Sequence, residues 1–226
     1  MEKLFAEPLF YIFLVYGLSF MTMATLISTE LVKTTAISLV SSFWMLVFFG
    51  FLHGAAELTD WARFVGRTLT MSESTPLLYV GQIMMILSFV FLLQFAINLL
   101  TYKSEKKGII RAIPLLLFVI YIAAILVLGI SDISQMGLIA RYSFGIVGSA
   151  FSAFVLFKLG NAMKASQIPK LVRGLNVAAF GFLCYAVFGG FIIHPILGLP
   201  VQLFRAACAL TIAVASYSIL EVFKVE

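Results

Sequence analysis

Residues 77–100 read LLYVGQIMMILSFVFLLQFAINLL, and this stretch decides the fold class. It holds no Asp, Glu, Lys or Arg over a length that matches the hydrocarbon core of a bilayer, which a helix of about 20 apolar residues crosses. The run is continuously apolar and lacks the period-two alternation of a membrane β-strand, so a β-barrel is excluded. Six more runs of the same kind lie at about 8–27, 36–56, 112–130, 137–158, 174–194 and 200–222. The expected fold is an all-α integral membrane protein: a seven-transmembrane helix bundle forming one domain over 1–226.

Composition agrees. The 226 residues are 62% hydrophobic and 11% charged, against about 45–50% and about 25% in soluble domains. A soluble enzyme, a nucleic-acid-binding domain and a secreted disulfide scaffold are excluded. The net charge of +5 is spread over the connections between apolar runs, a pattern that reports membrane orientation. The connections after the first, third and fifth helices, with the C-terminus, hold Lys33, Lys103, Lys106, Lys107, Arg111, Lys158, Lys164, Lys170, Arg173 and Lys224. The opposite side holds Lys3, Arg63, Arg67 and Arg141, and Arg205 lies within the last helix. This asymmetry places the N-terminus outside and the C-terminus in the cytoplasm. The first apolar run is long enough to span, so no cleavable signal peptide is expected.

Ionisable groups at membrane depth are costly and mark function or a paired structural site. Here they gather on the outer side. His53, Glu57 and Asp60 are expected at the outer end of helix two, Asp132 and Arg141 beside the start of helix five, His194 at the end of helix six, and Arg205 early in helix seven. If helix two continues, His53, Glu57 and Asp60 share one face at i, i+4 and i+7, with Trp61 beside them as an interface anchor. Three readings stay open: mutual satisfaction of His53 and Glu57, a ligand- or proton-sensing site, and a metal site. His53 and His194, the two histidines, are also candidate axial ligands of a b-type haem. Zinc hydrolysis lacks an HExxH motif, acyl transfer lacks GxSxG, and helix seven offers no mid-span lysine for a Schiff base. Cys184 and Cys208 read as packing residues. The small residues Gly145, Gly148, Ser149, Ser152 and Ala153 let helix five approach a neighbour, in the bundle or across a dimer. Gly189, Gly190 and Pro195 predict an irregular end to helix six.

The run Phe49-Gly50-Phe51-Leu52-His53-Gly54-Ala55-Ala56-Glu57 resembles an FGLLHGxxEW-like segment of the N-terminal membrane regions of bacterial sensor histidine kinases and diguanylate cyclases. The stretch Gly198-Leu199-Pro200-Val201-Gln202-Leu203-Phe204-Arg205-Ala206-Ala207-Cys208-Ala209 resembles their GxPVQLFRAxCA helix, which leads into the signalling helix. The layout from Arg141-Tyr142 to Leu171-Val172-Arg173 is similar too, so the resemblance covers most of the chain. It implies a seven-helix sensory module of a two-component system in the inner (cytoplasmic) membrane. His53, Glu57, Gln202 and Arg205 match its motif positions. The implied partners are the lipid bilayer, a second copy in a homodimer, and a cytoplasmic kinase or other signalling protein. Leu58 stands where the family segment has Trp. No kinase or cyclase segment precedes Glu226, which implies an excised sensor or a protein that signals through a partner.

The leading expectation is therefore a sensory module without enzymatic activity. The outer cluster of His53, Glu57, Asp60, Arg141, His194, Gln202 and Arg205 would bind or titrate with a stimulus, and helix seven would carry the change inward. The alternatives are a haem- or metal-binding subunit of an electron-transfer complex, and a small transporter or channel subunit.

Overall fold

A computed structural model describes residues 7–34, 38–70, 74–104, 107–192 and 194–224. Among these residues the protein is helical, with two isolated β-bridges and no strand. Seven helices are long and apolar enough to cross a membrane. They are α1 (Pro8–Leu31), α2 (Phe43–Thr70), α3 (Thr75–Leu100), α4 (Ile113–Val127, which a preceding turn of helix extends to a span of Gly108–Val127), α5 (Ile133–Ala165), α6 (Pro169–Phe191) and α7 (Val201–Glu221). The helices α1, α3, α4 and α6 open with Pro in the first turn, where its missing N–H leaves no carbonyl unpaired.

Six of the seven close into a ring. Helix α1 packs along α2 and α7, α2 along α3, α3 along α5, α5 along α6, and α6 along α7. Helix α4 stands outside, resting chiefly on α3. Only 17% of its apolar window is buried, against 44–61% for the others. The centre of the ring is filled by aromatic and branched side chains, among them Phe20, Phe49, Phe95, Leu92, Leu156 and Phe182.

Small residues let helix backbones approach closely and so help to decide which helices touch. At the α1–α2 crossing a Cβ on Gly54 would come 2.8 Å from the carbonyl oxygen of Gly17, and one on Gly50 3.0 Å from that of Phe20. The two backbones nearly meet, and this brings Tyr16 and Phe20 against His53. The small face of α5 is spent inside the bundle. Gly145 lies under Phe89, and Gly148 lies against Leu92 and Leu93 of α3, so the dimer reading of that face is set aside.

Several boundaries differ from expectation, and those of three helices bear on the site. Helix two runs to Thr70 rather than stopping near 56. The apolar run ends there but the helix does not, because Asp60 and Arg63 pair at 2.8 Å along its face and Arg67 sits in its last turn. His53, Glu57 and Asp60 are therefore inside a helix, not at its end. Helix five starts at Ile133, capped by Asp132, whose Oδ1 accepts from the Ser134 amide at 2.8 Å. Arg141 thus lies two turns inside rather than at the start. Helix six spans Pro169–Phe191 instead of 174–194, which leaves His194 beyond it.

Candidate functional site: a histidine hub

Two helices of the ring lose regular α geometry at the same level. Arg141–Ile146 of α5 and Val187–Phe191 of α6 each form a π-helical turn, and the two turns touch. In α6 the amide of Ile192 reaches back to the carbonyl of Val187 at 3.1 Å. Such turns leave carbonyls without their usual partners and occur often at functional sites. One side chain uses them. Arg205 of α7 donates Nε–H to the carbonyl of Phe188 at 2.7 Å and Nη2–H to that of Ile192 at 3.4 Å. Helix seven is thereby pinned to the irregular end of helix six.

Next to this junction sits His53, 1% exposed. Its Nε2 faces the hydroxyls of Tyr185 at 2.8 Å and Tyr16 at 3.3 Å, and Glu57 Oε1 at 3.8 Å. Its Nδ1 faces Ser88 Oγ at 3.0 Å. The tautomer follows from Ser88. The serine hydroxyl donates its one hydrogen to the carbonyl of Met85 at 2.6 Å, so its oxygen accepts from His53, and Nδ1 carries the proton. Nε2 is then the acceptor, taking the O–H of Tyr185. The imidazole is neutral in this arrangement.

Around the hub the rings of Phe20, Phe49 and Phe89 lie with centroids 4.4–5.4 Å from that of His53. They exclude water from its faces. The Glu57 carboxylate and the Arg205 guanidinium both act electrostatically on the Tyr16 hydroxyl. The guanidinium groups of Arg141 and Arg205 both act electrostatically on Glu57. Every helix of the ring therefore lends a polar group to one centre: Tyr16 from α1, His53 and Glu57 from α2, Ser88 from α3, Arg141 from α5, Tyr185 from α6 and Arg205 from α7. The centre lies about 6–12 Å inside the ends of α1, α6 and α7, at 1.5 Å rise per residue.

Not every residue expected here belongs. Asp60 pairs with Arg63 rather than with His53, and its carboxylate still acts electrostatically on Glu57. Gln202 is half-buried one turn before Arg205 and takes no part in the hydrogen bonds of the hub. His194 is exposed in the connection after α6. Three members escaped sequence reasoning: Tyr16, Ser88 and Tyr185. Their signal was a lone hydroxyl in an apolar helix, and a buried tyrosine hydroxyl needs a partner.

The haem expectation does not fit these residues. Both ring nitrogens of His53 are engaged by protein hydroxyls, His194 is outside the bundle, and the nearest void has a volume of only about 10 Å³, room for one water. Among the described residues no group of three or more His, Cys, Asp and Glu side chains is placed to hold a metal. The chain matches no family model, no curated protein and no solved structure.

Proposed function

We propose that this protein is a membrane sensory module in which the His53 hub receives the stimulus and α7 carries it to the other side. One observation supports this reading above the rest: a single buried imidazole on α2 bonds side chains from α1, α3 and α6, and the guanidinium groups of α5 and α7 act on it electrostatically, so its state is felt around the ring. The chemistry of the change is specific. A proton added at Nε2 turns that nitrogen from acceptor to donor. The Tyr185 and Tyr16 hydroxyls must then rotate, and the Glu57 carboxylate, 3.8 Å away, becomes the natural acceptor. A ligand that displaced either tyrosine would force the same exchange. Both events reorganise the contacts of Arg205, and with them the seat of α7 on α6.

The far end of α7 suits an output. Glu30 of α1, buried, holds Lys224 at 2.6 Å and Lys33 at 3.0 Å, and Lys170 of α6 holds Glu221. Exposed pairs such as Lys170–Glu221 are worth about 0–1 kcal/mol, so a small shift of the helix exchanges them cheaply. The cation asymmetry supports a cytoplasmic position for this end, which fits the inner membrane and a cytoplasmic signalling partner.

Spin labels test the reading. Cysteines are introduced by Lys158→Cys and Ser218→Cys after Cys184→Ala and Cys208→Ala, and the label distance is measured in bilayers at about pH 5 and about pH 8. The account expects two different distance distributions, and one unchanging distribution when His53→Gln and Glu57→Gln are both present. Identical distributions in the parent, or a shift that survives the double change, would overturn it.

A further inference from the structure

The cation-rich ends of α5, α6 and α7 enclose two grooves that the hub does not use. One, of about 620 Å³, lies between α5 and α6 and has Lys164, Arg173 and Asn176 at its polar end and Ile168, Val177 and Phe180 along its walls. The other, of about 450 Å³, lies on the opposite flank of α6 against α7, with Val214 and Ala215 on its wall. Arg173 and Val177 line both. Arg173 therefore stands on a ridge with an apolar channel on either side.

The charges there are available. Lys164 and Arg173 are exposed and have no carboxylate partner among the described residues, whereas the nearby Lys170 is taken by Glu221. The first turn of α6 begins at Pro169 without a side-chain cap, leaving backbone N–H groups on the same side. Two unpaired cations beside two apolar channels match one kind of molecule: a net anionic head joined to two acyl chains. A zwitterionic head brings its own cation and gains less from Lys164 and Arg173. A free phosphate has nothing to place against Val177 and Phe180.

We infer that α6 is straddled at this end by one anionic diacyl phospholipid, its phosphate held by Arg173 and Lys164 and its chains lying in the two grooves. The inference stands apart from the sensory reading and survives its failure. Basic pockets between membrane helices are recognised as sites for anionic head groups.

Native mass spectrometry of the full chain in detergent tests this, with phosphatidylglycerol and phosphatidylcholine titrated separately. The expected result is one phosphatidylglycerol bound per chain, about tenfold tighter than phosphatidylcholine. The preference should vanish with Lys164→Gln and Arg173→Gln together and remain with Lys158→Gln, which removes a cation outside both grooves. Excess inorganic phosphate should not displace the lipid. Equal affinity for the two lipids, a preference that outlives the double change, or displacement by phosphate would each overturn the inference. Phe180→Ala, which leaves both cations in place, should weaken binding of the two lipids alike. No effect of Phe180→Ala on either would count against the chains lying in the grooves.

Discussion

At His53 the two ring nitrogens have opposite roles. Nδ1 donates to Ser88, which is committed to the Met85 carbonyl, and Nε2 accepts from Tyr185. This fixes a testable tautomer. Nitrogen-15 NMR of histidine-labelled protein in bilayers at about pH 7.5, with His194→Gln used to assign the second signal, should show His53 neutral and protonated at Nδ1. An Nε2–H tautomer would mean the hydroxyls point the other way. The residues that carry this arrangement were unequally legible in the sequence. A histidine, a glutamate and an arginine in apolar runs stand out because a bilayer tolerates them only for a reason. Tyr16, Ser88 and Tyr185 did not stand out, because hydroxyls are common in membrane helices. Their partner, 132 residues away in the case of Tyr185, is assigned by the fold. Gln202 and His194, which also stand out as polar residues near the site, take no part in the hydrogen bonds of the hub, and Asp60 meets it only through its charge.

At the scale of elements, the α1–α2 crossing sets where the hub can form. Gly17 and Gly54 permit backbone contact that a methyl group would prevent. Gly54→Ala should therefore cost about 1–3 kcal/mol, the usual penalty for overpacking, read as a lower unfolding midpoint in detergent. Gly66→Ala, on the same helix with open space around it, should instead raise stability by about 0.5–1 kcal/mol through helix propensity alone. The seven long apolar helices themselves were legible, because about 20 continuous apolar residues leave few alternatives. The extent of α2 was not. Its last turns are polar enough to end a hydropathy run, yet they keep helical pairing between Asp60 and Arg63. The π turns were half legible: Gly189 and Gly190 announced an irregular end to α6, while nothing local in Arg141–Ile146 announced the one in α5. That turn lies against the other, with Gly190 packed against Ile146, and is a product of tertiary packing.

Across the whole molecule, the architecture is a six-helix ring with one polar centre and a seventh helix outside it. A ring without a hub would respond to a core substitution locally. A ring organised around one imidazole should respond widely, because removing it strands the hydroxyls of Tyr16 and Tyr185, takes away the donor to the Ser88 oxygen, and changes the setting of the Glu57 carboxylate and the two guanidinium groups together. A buried polar group left without its partner costs about 1–3 kcal/mol, so several helices would lose local stability in one step. Helix α4, which contributes nothing to the centre, should be indifferent. Hydrogen–deuterium exchange of His53→Ala against the parent protein measures this most directly. The account predicts faster exchange in the hub-facing turns of α1, α2, α3, α5, α6 and α7, and an unchanged α4. Faster exchange confined to α2, or spread equally into α4, would contradict it.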